Sequence, residues 1–67
     1  MNTAAFLKLM DDRGVSKAKL KKKLGIKDGT TLNTKIEGKR GFKQEEIKVM
    51  IDMFRLTPEE VQFLFFS

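Results

Sequence analysis

The 67-residue chain has no cysteine, no histidine, no tryptophan, no tyrosine and a single proline. Without cysteine there is neither a disulfide nor a thiolate metal site to support a fold. Without histidine the usual zinc ligand sets are gone, and so is the commonest general base. Ser16 and Ser67 therefore lack an activating partner of the hydroxyl–imidazole kind. Asp11-Asp12 and Glu45-Glu46 are adjacent pairs that point apart on a helix, and the glycines form no phosphate-cradling motif. The expectation is a protein that is not an enzyme, with no cofactor, no metal and no small-molecule substrate. No apolar run approaches the roughly 20 residues needed to span a bilayer. The opening MNTAAFLKLM has no charged segment ahead of its apolar stretch, so it does not read as a signal peptide. The expected compartment is the cytoplasm, with no membrane partner.

What remains must fold through Leu, Ile, Met, Val and the six phenylalanines. One domain over residues 1–67 is expected, burying only about 60% of its unfolded surface. Charge is unevenly spread. From Arg13 to Lys43 eleven basic residues face only Asp28 and Glu37, a net of +9, while the rest holds three basic and seven acidic residues, a net of −4. A pI near 9.8 points to an acidic partner: nucleic acid first, then an anionic membrane, then an acidic protein.

Helical spacing and caps place five short helices. Phe6, Leu9, Met10 and Arg13 recur at helical intervals over Thr3 to Arg13, with Gly14 as the stop. Ser16 caps a helix over Lys17 to Leu24, with Leu20 and Leu24 inward. Gly25 ends it. Asp28 caps Gly29 to Glu37, with Leu32 and Ile36 inward, and Gly38 ends that helix. A fourth helix runs near Gln44 to Phe54 with Ile47, Met50, Ile51 and Phe54 on one face. Thr57-Pro58-Glu59-Glu60 is a strong start signal for a terminal aromatic helix over about 57–66. No segment alternates as a strand does, so the fold class is all-α.

The pattern Leu9-Met10…Gly14-Val15-Ser16…Leu20…Leu24-Gly25-Ile26…Thr31-Leu32…Ile36…Gly38-Lys39-Arg40…Phe42…Glu46-Ile47…Leu56-Thr57 resembles the lambda-repressor-like, Cro/repressor class of helix-turn-helix proteins. Within that class it is similar to the small single-domain regulators of phage lysogeny switches. The resemblance implies a compact five-helix domain with its helix-turn-helix over about 16–38. It also implies DNA-binding transcription regulation, usually as a dimer on operator DNA in a bacterial host's cytoplasm. Its recognition positions fall on Gly29, Thr30, Asn33 and Thr34, its phosphate clamp on Lys17, and its post-helix phosphate loop on Lys39 and Arg40. Three features depart from the family. Lys21 stands where a small residue is usual, the turn is one residue longer at Lys27, and Gly29 offers no side chain.

The residues themselves lead the same way. Thr30, Asn33 and Thr34 lie opposite Leu32 and Ile36, where Asn can pair with adenine and Thr can donate, accept or touch a thymine methyl. Lys17, Lys27, Lys35, Lys39 and Arg40 are the expected phosphate contacts. Glu37 would repel phosphate or orient Arg40. Lys22 and Lys23 read as a solvated face, while Lys21 lays its stem along the seam between the helices. Val61 and Leu64 share the inward face of the last helix, and Phe63, Phe65 and Phe66 exceed what so small a core can cover. They read either as core or as a dimer or partner interface. The leading expectation is a small DNA-binding regulator of a phage-type switch. The alternative is a helix-turn-helix-fold module that acts as anti-repressor or co-repressor by binding a partner repressor.

Overall fold

In the computed structural model, which describes residues 1–66, helices follow the caps. They are α1 (Thr3–Asp12), α2 (Lys17–Leu24), α3 (Gly29–Ile36), α4 (Gln44–Phe54) and α5 (Pro58–Phe65), with no strand among the described residues. Ser16 Oγ accepts from the Lys19 N–H at 3.1 Å and Asp28 Oδ1 from the Thr30 N–H at 2.9 Å. These bonds satisfy donors that a helix start leaves without partners. Gly25 closes α2 in the left-handed region at φ 72°, a conformation that a side chain would strain.

Besides α5, whose expected end residues Thr57 and Phe66 are its caps, two ends differ from expectation by one residue. α1 stops at Asp12, and Arg13 becomes its C-cap, its guanidinium Nη1 donating to the Phe54 carbonyl oxygen. α3 stops at Ile36, with Glu37 as its C-cap. Both are ends where the final turn loosens.

The core is built from Phe6, Met10, Leu20, Leu32, Ile36, Met50, Phe54, Leu56 and Leu64, all buried. Phe6 is its hub. Its ring meets Phe42 at 5.8 Å, Phe54 at 6.3 Å and Phe65 at 6.0 Å between centroids, and Phe42 meets Phe65 at 5.9 Å. Tilted and edge-on arrangements at these distances favour aromatic pairs beyond their buried area. α2 packs on α3 and α4, and α1 on α5. Thr3 Oγ1 donates to the Ile36 carbonyl at 2.6 Å, and the Asn2 N–H donates to the Leu64 carbonyl at 2.8 Å. The start of the chain is thus tied to the ends of α3 and α5. The radius of gyration, 10.7 Å, matches the roughly 11 Å of a well-packed chain of this length. Among the described residues no helix is long and apolar enough to cross a membrane.

Candidate nucleic-acid interface

α3 is short, and its two sides do opposite things. Leu32 and Ile36 enter the core, while Thr30 and Asn33 are exposed. The Asn33 amide makes no hydrogen bond with the described residues, so its donor and acceptor both face solvent. Thr34 is half-buried, and its hydroxyl donates back to the Thr30 carbonyl at 2.8 Å. That leaves Thr34 its oxygen lone pairs and a methyl group to offer a base edge. Gly29 opens the helix beneath Lys21. A Cβ built on Gly29 would lie 3.9 Å from the Lys21 ammonium nitrogen. The Lys21 stem therefore follows the α2–α3 seam, and its amine stands over the first turn of α3.

Cations flank α3 on both sides. On the α2 side Lys17, Lys21, Gly29 and Asn33 line one small cleft of about 140 Å³. On the α4 side Lys27, Arg40 and Lys43 stand around a larger cleft of about 420 Å³, floored by Leu24, Ile26 and Val49. Lys39 is fixed at the end of α3, where its N–H donates to the Thr34 carbonyl at 3.1 Å. Lys17, Lys27, Lys39 and Arg40 are all exposed, and none forms an ion pair among the described residues. Glu37 is exposed as well and does not pair with Arg40. Lys22 and Lys23 are exposed too, as a solvated face requires.

Lys35 is a correction. Expected on the surface as a phosphate contact, it is 4% exposed. Its ammonium donates to both carboxylate oxygens of Glu46, at 2.7 and 2.9 Å. Glu46 also accepts from the Lys43 N–H at 2.8 Å and so caps α4. Burial opposes ionisation of Glu46. The hydrogen bonds from Lys35 and the Lys43 backbone, with the charges of both lysines, outweigh it and hold the carboxyl below the ordinary 4.5. The sequence reading placed Lys35 on the surface and gave Glu46 no partner. The usable signal was position: Lys35 flanks the inward stripe of Leu32 and Ile36, and Glu46 begins the stripe of Met50 and Phe54.

The aromatic end divides. Phe65 is half-buried and packs between Phe6 and Phe42. Phe63 and Phe66 are 57% and 60% exposed, whereas Leu64 is buried and Val61 packs against the core. Phe66 shares a cleft with Met1, Gly38, Arg40 and Gly41. Phe63 lies at the α1–α5 groove with Leu9 and Glu60. No cluster of acidic residues able to hold a metal occurs among the described residues. Compared with protein-family models, curated proteins and solved structures, the chain finds no match.

Proposed function

We propose that this chain is a small DNA-binding transcriptional regulator of a phage-type genetic switch, acting in the bacterial cytoplasm without cofactor, metal or catalysis. In this reading it is a lambda-repressor-like protein whose α2 and α3 form the helix-turn-helix. The observation that carries it is the arrangement around α3: an exposed Asn33 and Thr30 face bracketed by Lys17 on one side and Lys27 and Arg40 on the other, with Lys39 at the end of the helix. Cations placed either side of a helix suit the two phosphate chains that border a major groove. Asn33 is the residue best equipped to read a base, through a bidentate pair with adenine.

A gel shift on DNA from the chain's own genetic neighbourhood, over a salt series, tests this. Four phosphate contacts per protomer give a slope of log affinity against log salt of about −3.6. A slope near zero, or no binding at low salt, sinks the reading.

A second reading has its own observation. Phe63 and Phe66 are exposed, Phe66 beside Arg40, and Gly29 has no side chain to offer a base. Such a surface fits a module that meets a partner repressor or a second copy. The same gel shift with and without the neighbouring repressor separates the two: binding only through the repressor supports the module.

A further inference from the structure

We propose that the chain associates head to tail with further copies of itself, the acidic aromatic edge of α5 in one copy seating in the basic-rimmed cleft between α3 and α4 of the next. This names an occupant for the exposed α5 surface. It rests on that surface being a contact surface, and not on DNA binding.

Two observations on different faces fit each other. Pro58, Glu59, Gln62 and Phe63 form one shallow, mostly apolar surface on α5. Glu59 is exposed, Phe63 is 57% exposed, and the two lie one helical turn apart, on the same side. The α3–α4 cleft has the complementary character. Its floor includes Val49, itself 38% exposed, with Leu24 and Ile26, and Lys27, Arg40 and Lys43 stand around it. At about 420 Å³ it falls within the size range of pockets that take up small ligands, which is room for one aromatic side chain. Asp28 and Glu45 also line the cleft and offset two of the three exposed cations, and with Lys35 paired to Glu46 the lining keeps a net charge of +1. Placing Phe63 on Val49 would bring Glu59 among those cations. The pairing joins the acidic part of the chain to its basic part, which is the direction the uneven charge favours.

The two surfaces share no residue. A contact between different patches is heterologous, and it propagates instead of stopping at two copies. Lys27 and Arg40 also belong to the proposed phosphate rim, so DNA and a second copy compete for them.

Sedimentation velocity without nucleic acid tests the contact, at about 20 mM and about 500 mM salt, which bracket strong and weak screening. At low salt the average mass should climb with concentration past twice the 7.7 kDa monomer, and at high salt it should return to the monomer. Phe63→Ala, Glu59→Lys and Lys43→Glu should each hold the protein monomeric. All three sites are exposed, and circular dichroism checks that each variant stays folded. The deciding arm mixes Phe63→Ala with Lys43→Glu. The first keeps an intact cleft and the second an intact α5 edge, so the mixture should form dimers and nothing larger. The proposal is overturned if the wild type stays monomeric at low salt, stops at a discrete dimer, or assembles unchanged with Lys43→Glu. A mixture that stays monomeric also overturns it. A gel shift with Phe63→Ala separates the two failures, because DNA binding by α3 does not use that ring.

Discussion

Glu46 and Glu60 occupy the same place in their helices and do the same local work. Each is the third residue of its helix, and each accepts from the backbone N–H of its N-cap, Lys43 at 2.8 Å and Thr57 at 2.9 Å. Their surroundings differ. Glu46 is buried and also holds the ammonium of Lys35 from α3. Glu60 is half-buried and has no ion-pair partner among the described residues. One cap ties two helices together and fixes the loop that carries Lys39 and Arg40, and the other only starts a helix. A local sequence device therefore has a tertiary consequence only where a second element supplies the counter-charge.

The comparison breaks most visibly at Glu46. Glu46→Ala leaves a buried ammonium without its partner and α4 without its cap. The expected loss is about 3–5 kcal/mol, close to the whole stability of so small a domain. Urea unfolding at pH 7 should find the variant largely unfolded; a loss under about 1 kcal/mol would mean that the pair is not buried in solution. Lys35→Met combined with Glu46→Gln removes both charges and keeps an acceptor for the Lys43 N–H. It should recover most of the loss, because replacing both members of a buried pair is often close to neutral.

Exposed and buried residues of α3 should part company in the same way. Asn33→Ala should cost about 1–3 kcal/mol on the true DNA site, little on random DNA, and leave the thermal midpoint unchanged. Equal weakening on all sequences would remove Asn33 from base recognition. At α5, Thr57→Ala deletes a hydroxyl that accepts from the Glu60 N–H at 3.2 Å. The expected cost is about 1 kcal/mol, read as a modest drop in the urea midpoint. A loss as large as that of Glu46→Ala would erase the contrast between the two caps. Two lysines of the basic stretch give the finest distinction. Lys39→Ala should reduce the steepness of the salt dependence of DNA binding by about 0.9, while a folded Lys35 variant should leave it untouched.

Acid should reveal the same asymmetry. The folded-state pKa of Glu46 lies below its ordinary value. Its contribution is therefore complete above about pH 4.5 and is lost as pH falls through the lowered value. Acid unfolding of the wild type should show this component, and the double variant should lack it.

The helices were legible because their signals are local. Ser16, Asp28 and Thr57 cap where their side chains predict, and α2 and α4 keep the expected bounds. The inward stripes held for the same reason: Leu20, Leu32, Ile36, Met50, Phe54 and Leu64 are all buried. What escaped was pairing at a distance. Lys35 and Glu46 are eleven residues apart, and each taken alone is a charge with no reason to be inside. The fate of the aromatic end was equally non-local. Phe65 turns inward because Phe6 and Phe42 make a place for it, and nothing within residues 57–66 announces that place. At the candidate site, Lys17, Lys27, Lys39 and Arg40 are exposed as expected. Thr34 is diminished by a bond to its own helix, a habit of threonine that spacing does not decide.

Lys21 and Gly29 carry one more implication. The Lys21 amine stands 3.9 Å from where a Cβ on Gly29 would lie, an ordinary contact, so the first turn of α3 is bordered by a charge from α2. The two positions should then be epistatic. A side chain introduced at Gly29 has room but starts beside a positive charge, so an acidic one is favoured and a basic one gains once Lys21 is replaced. An adaptive path that puts a cation at residue 29 would thus be eased by a change at residue 21, a helix away from the surface being changed.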